Sequence, residues 1–203
     1  MEGWMQLRAS YFENVCHSIL DEYFYSIGLC NIVVRPTSVR YDNGQQYISI
    51  DYWVEDFPDY IVMIGVGFLV YKAGHVEGAE HGIGLWYALS EMGMSIDTGW
   101  RFSNESELRE VLINVKDNVL PIYVAELLAK PTKLQSLIEK YWNEMQQQYQ
   151  NDLLKQYRTR ANAAFDTGDY GEALRLFSIM EPSEFTEVDH KRMEIARKKI
   201  QTS

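Results

Sequence analysis

The sequence predicts an α+β protein: a small antiparallel sheet packed against helices, followed by an all-α tail. Three observations predict it. Apolar residues first recur with a helical period, residues 32–71 then switch to a period of two with turn residues between the runs, and from residue 104 the helical period returns and persists.

The first helix is written in Phe12, Val15, Cys16, Ile19, Leu20, Tyr23, Phe24 and Ile27, which step by three and four along one face until Gly28 offers a left-handed cap. Two extended runs follow, residues 32–41 and 46–54, flanking Asp42-Asn43-Gly44. Asn-Gly between such runs predicts a hairpin whose two central residues both take positive φ. Ile48, Ile50, Tyr52 and Val54 share one face, and Pro36 confines the first strand to an edge or a bulge.

After the break at residues 55–59 comes the most apolar strand, 60–71. There Gly65 and Gly67 share a face with Met63 and Leu69 and leave a flat patch. The first helix is the expected visitor to that patch, with a ligand as the second choice. Residues 73–84 read as a glycine-rich loop, 85–92 fit either a strand or a helix, and Trp100-Arg101-Phe102 predicts a short strand. Asn104 with Glu107 marks a helix start that runs on Leu108, Val111, Leu112, Val115 and Val119 until Pro121 interrupts it. From Pro131 no glycine or proline appears before Gly168, so the stripe from Leu134 through Phe165 is either one helix or two with a kink near residues 146–148. The expected domains are 1–148 and 149–203.

At 203 residues and 46% hydrophobic content the chain can bury a sizeable core. No window reaches the roughly 18 uninterrupted apolar residues of a membrane span, and the first residues lack the basic and apolar regions of a secretory signal. A cytoplasmic protein with Cys16 and Cys30 as buried free thiols is therefore expected. Lys and Arg number 10 against 20 Asp and Glu in residues 1–145, and 9 against 9 afterwards, so the whole net charge of -10 sits in the first part. That field repels phosphate backbones and attracts basic partners; nucleic acid is not expected as a ligand.

In residues 161–177, Ala161, Phe165, Gly168, Tyr170, Ala173 and Phe177 occupy spacings that resemble one tetratricopeptide repeat, with Arg160 and Met180 departing from the usual leucine and alanine. The resemblance implies two antiparallel helices and a role in protein contact. One such hairpin buries its face only against something else: its own chain, a partner, or a second copy in a homodimer. Residues 100–112, after Gly84-Leu85-Trp86, resemble small bacterial α+β domains of the immunity-protein kind, which implies neutralisation of a basic toxin site.

Chemistry-bearing clusters are few. His75, Glu77, Glu80 and His81 could ligate zinc, but the histidines are six apart with Gly78 between them, and the cysteine half of a zinc deaminase signature is missing. Asp51, Glu55, Asp56 and Asp59 crowd one turn and suit an acidic docking edge better than an acid–base pair. Nucleophile elbows, phosphate loops and dinucleotide fingerprints do not occur in the sequence. The expectation is a non-enzymatic protein-binding module without a cofactor, contacting its partner through Asp51, Glu55, Asp56, Asp59, Tyr157, Tyr170 and Phe177. The competing expectation is a small metal-dependent enzyme using the 75–81 cluster.

Overall fold

The computed structural model describes the backbone of residues 2–56, 59–69, 81–94 and 100–202. It describes their side chains from residue 11 onward, apart from Glu55 and Asp56. The chain divides into two compact units, Met1–Tyr141 and Trp142–Ser203.

The first unit is α+β. Helix α1 (Glu2–Ser26) leads into β1 (Asn31–Arg35), β2 (Ser38–Asp42), β3 (Gln46–Asp56), β4 (Asp59–Phe68) and β5 (His81–Gly84). Then come α2 (Leu85–Glu91), β6 (Arg101–Phe102), α3 (Glu105–Asn114), a π-helical stretch Val115–Val124, α4 (Ala125–Ala129) and the start of α5 (Pro131–Asp166). The sheet is antiparallel in the order β1-β2-β3-β4-β5, and β6 pairs with the other end of β4.

Alternation along the strands decides where the core lies. Ile48, Ile50 and Tyr52 of β3 pair with Val66, Ile64 and Val62 of β4, and all six are buried. On them sits the α1 stripe of Phe12, Val15, Cys16, Leu20 and Phe24, with Phe12 against Tyr52 at 4.7 Å and Phe24 against Tyr41 at 4.2 Å. Leu108, Leu112, Leu120, Leu127, Leu134 and Ile138 from the later helices complete the same core. Gly28, at φ +84, ends α1 as expected, with Leu29 N–H donating to the Phe24 carbonyl and Gly28 N–H to that of Tyr25. Asn104 caps α3 by accepting from Glu107 N–H at 3.1 Å.

Several local expectations are corrected. Residues 32–41 form two strands, because the turn at Pro36-Thr37 folds β1 back on β2. In the next hairpin only Gly44 takes positive φ (+83), while Asn43 uses its side-chain oxygen to accept from Gln45 and Gln46 N–H. Residues 81–84 are a strand rather than the end of a loop, and 85–91 are helical. Pro121 does not stop its helix. A proline lacks the N–H and crowds the carbonyl four residues back, and the wider π turn accommodates both effects before α4 resumes. Cys16 is buried but Cys30 is exposed, and both are free.

Helix α5 is continuous over 36 residues, which settles the choice between one helix and two. Residues 142–152 are all exposed, so the stripe of Trp142, Met145 and Tyr149 lies uncovered although the sequence period runs straight through it.

In the second unit, Gly168 (φ +84) turns the end of α5 into α6 (Tyr170–Phe177), and a short 3-10 turn, Pro182–Glu184, leads to α7 (Glu187–Gln201). Ala161, Leu176, Phe177, Met180 and Met193 form its core, with Ala173 and Ala196 also buried. Val188 and Ile200 of α7 are exposed. One buried carboxylate ties the ends together. Asp189 closes a capping box with Thr186 and accepts from Arg158 Nε at 3.0 Å, while Arg158 Nη2 also donates to the Glu184 carbonyl.

Burial pushes the Asp189 carboxyl up, but the Thr186 backbone and hydroxyl and the Arg158 guanidinium outweigh it and hold the group below the usual carboxylate range. Its stabilisation is therefore present above the unfolded value and disappears as pH falls through the folded one. Asp189→Asn is expected to cost the second unit about 2 kcal/mol at pH 7, less than a fully buried pair because Arg158 is partly exposed. The difference from wild type should shrink as pH falls below the usual carboxylate range, as read by helical circular dichroism during urea unfolding at each pH.

Candidate functional site

Every sheet residue in the main core comes from one face, which makes the opposite face the natural place to look for function. The register lays that face out in four rows. Trp53, Ile61 and Arg101 form the first; Arg35, Ser38, Asp51 and Met63 the second. Val33, Arg40, Ser49, Gly65 and Gly84 follow, and then Asn31, Asp42, Tyr47, Gly67 and Gly82.

The polar side chains of the two lower rows bond largely to one another. Asp42 is buried and accepts from Asn31 Nδ2 at 2.9 Å and Gly44 N–H at 3.0 Å, with Arg40 Nη2 at 3.3 Å. The glycine patch is occupied by the chain's own side chains, not by α1, which lies on the other face. A Cβ on Gly67 would come within 2.6 Å of Gly82 Cα and 2.8 Å of the Tyr47 ring; one on Gly65 would meet Ser49 Oγ at 2.5 Å, and one on Gly84 would meet Trp86 Nε1 at 2.5 Å. Two cross-strand glycine pairs thus let the Tyr47 and Trp86 rings lie close on β4 and β5.

The upper rows are different. Trp53 is 68% exposed and Met63 41%, with the half-buried Ile61 beside them and the exposed side chains of Arg35 and Arg101 at either side. Large apolar side chains on a central strand pair, flanked by arginines, have the composition of an interface centre. Between them Asp51 accepts from Ser49 Oγ at 2.6 Å. Burial pushes its carboxyl up, against the opposing pull of Ser49, Ser38 and Arg35.

The residues expected from sequence are thus dispersed. Asp51 lies half-buried within the open face, and Asp59 starts β4, four residues or about 13 Å along the strand from the partner of Asp51. Asp59 Oδ1 accepts from Ser103 Oγ at 2.9 Å. Glu55 and Asp56 end β3, and their side chains lie outside the described residues. Tyr157 is half-buried against the second core, Tyr170 stands edge-on to Phe165 at 5.5 Å, and Phe177, at 0% exposure, is spent inside that core and offers no contact surface.

His81 begins β5, whereas His75, Glu77 and Glu80 lie outside the described residues. Among the described residues no group of three or more His, Cys, Asp or Glu is placed to hold a metal. No described helix is long and apolar enough to cross a membrane. Trp53 and Ile61 were not singled out from the sequence, and Met63 only as a neighbour of the glycine patch, although parity could have found all three: they are out of phase with the buried alternation of Ile48, Ile50 and Tyr52.

Two substitutions test this geometry. A folded-state carboxyl raised by burial costs stability once ionised, a cost absent at low pH that appears as pH rises through the folded value. Asp51→Asn keeps an acceptor for Ser49 and should raise the melting midpoint at pH 7, with the gain shrinking toward pH 3 in a thermal series. Gly67→Ala should destabilise the first unit by about 2 kcal/mol through overpacking, measured by chemical denaturation.

Comparison with known proteins finds no family, no curated protein and no solved structure that matches this chain.

Proposed function

We propose that the chain is a non-enzymatic protein-binding module whose contact centre is the open face of the sheet, as in an adaptor or an immunity protein. The single observation that carries this is Trp53 of β3, 68% exposed on the open face of the sheet beside Ile61 and Met63 of β4. Soluble surfaces scatter such residues singly; three on neighbouring rungs of one strand pair form a patch that gains by being covered. Tryptophan and arginine dominate binding energy when water is excluded around them, and Arg35 and Arg101 stand at the sides of this patch.

Charge sets the longer-range preference. The excess of Asp and Glu in residues 1–145 steers a basic partner toward this part of the chain, while the contact itself is apolar. The acidic side chains at Asp51 and Asp59 are engaged by Ser49 and Ser103, so they belong to the surroundings of the contact rather than to its centre.

The test is a two-stage capture. The full chain and a Trp53→Arg variant serve as baits, and a protein recovered only by the wild type is purified and titrated against it. Trp53→Ala is expected to weaken that binding by about 30-fold, and Met63→Asp by about tenfold, with circular dichroism unchanged. A partner that binds both variants as tightly as wild type would overturn the assignment of the face.

A further inference from the structure

The sheet begins at β1, an outermost strand whose one described neighbour is β2. The bonds on the far side of β2 decide which way the main chain of β1 points. Asn43 N–H donates to the Gln46 carbonyl and Tyr52 N–H to the Thr37 carbonyl, so Val39 and Tyr41, in phase with residues 37 and 43, turn their N–H and C=O toward β3. Ser38, Arg40 and Asp42 therefore turn theirs toward Arg35, Val33 and Asn31 of β1. Ile32 and Val34 are left with N–H and C=O directed out of the sheet, and among the described residues no backbone group meets them.

The side chains along this edge are apolar. Ile32 and Val34 lie on the core side with Tyr41 and Val39, whereas Val33 lies on the open side with Arg40, and Val34 is 41% exposed. Edge strands of soluble proteins are commonly blunted by a lysine, a bulge or an inward-pointing charge, because an open row of main-chain groups invites pairing. The three central residues of β1 carry none of these devices. Pro36, which has no N–H, ends the row.

Charge and register together select the occupant. At a net charge of -10, two copies of the chain repel one another at long range. Residues 23–41, however, form the longest stretch of the sequence without Asp or Glu, and they contain β1, the turn after it and most of β2. A second copy can approach this edge without setting carboxylate against carboxylate from the strand itself. The register is also self-complementary. Turned antiparallel about Val33, the edge sets Val33 against Val33 and Ile32 against Val34 of the second copy, so the outward main-chain groups meet one another, with two bonds for each Ile32–Val34 pair. The β-branched side chains that face across this seam are the kind that stabilise cross-strand pairs.

We propose that β1 is a homodimerisation edge, at which two copies of the chain join their sheets antiparallel about Val33. The contact uses a different strand from Trp53 and stands independently of the open-face proposal.

The experiment is sedimentation equilibrium of the full chain under reducing conditions, from about 1 to about 500 µM, with a dimer expected to form at about 10 µM because the contact is short. Val34→Lys, at an exposed edge position where folding is not at risk, should weaken the dimer by about 30-fold with circular dichroism unchanged, since the charge enters the seam twice. A second measurement reads the register directly. In a Cys30→Ser background, Val33→Cys should give a disulfide-linked dimer on mild oxidation, because non-hydrogen-bonded antiparallel pairs hold their Cα atoms about 4.5 Å apart, within the disulfide range. Val34→Cys, which faces Ile32 of the second copy, should link far less; Cys16 is buried and takes no part. A monomer at every concentration, a dimer that survives Val34→Lys unweakened, or linkage through position 34 as efficient as through position 33 would overturn the proposal.

Discussion

The period of two in the β3–β4 hairpin is the constraint on which the first unit depends. Ile48, Ile50 and Tyr52 stand opposite Val66, Ile64 and Val62, and each buried side chain of this size stabilises the fold by about 1.5–3 kcal/mol relative to exposure. A slip of one residue would carry Ser49 and Asp51 under α1 and turn the isoleucines to water, which no other part of the unit could offset. The glycines reinforce the register. Gly65 faces Gly84 and Gly67 faces Gly82, and a Cβ on Gly67 or Gly82 would collide with the Tyr47 side chain.

That one choice of face divides the chemistry of the unit. The side under α1 receives the aliphatic core of the sheet and, at its far end, the mutually packed rings of Phe12, Tyr52, Tyr60 and Phe102. The other side receives the remainder of each strand: serines, carboxylates and arginines that bond among themselves, and the three apolar residues at positions 53, 61 and 63 that stay out of the core. The core and the candidate contact face are therefore products of a single alternation, and Tyr52 and Trp53, neighbours in sequence, fall on opposite sides of it.

Local signals in the sequence were sufficient for α1 and its glycine cap, the hairpin at residues 42–46, the α3 cap at Asn104 and the turn at Gly168. Each is written within a few residues and needs no partner from elsewhere. What was not legible depends on contacts between distant segments. Residues 81–84 are a strand only because β4 pairs with them. The occupants of the glycine patch come from β3 and from α2. The stripe of α5 shows the converse limit: Trp142, Met145 and Tyr149 keep a helical period, but a period records which face is apolar and not whether anything lies on it. Phe177 was misplaced among contact residues because an aromatic on a repeat-like helix can face either its own core or a groove, and here it fills the core.

The existence of two separate hydrophobic cores has a thermodynamic consequence. The first contains the sheet and most of the helices, whereas the second is made by five buried side chains between α5, α6 and α7. Residues 142–152 of α5, exposed along their whole length, carry no buried side chain that would force the two cores to melt as one. Heat should therefore remove structure in two stages, the smaller core first, and the calorimetric trace should depart from a single cooperative peak. For such a chain one melting temperature is an average over two transitions, and a substitution can move one of them while leaving the other in place.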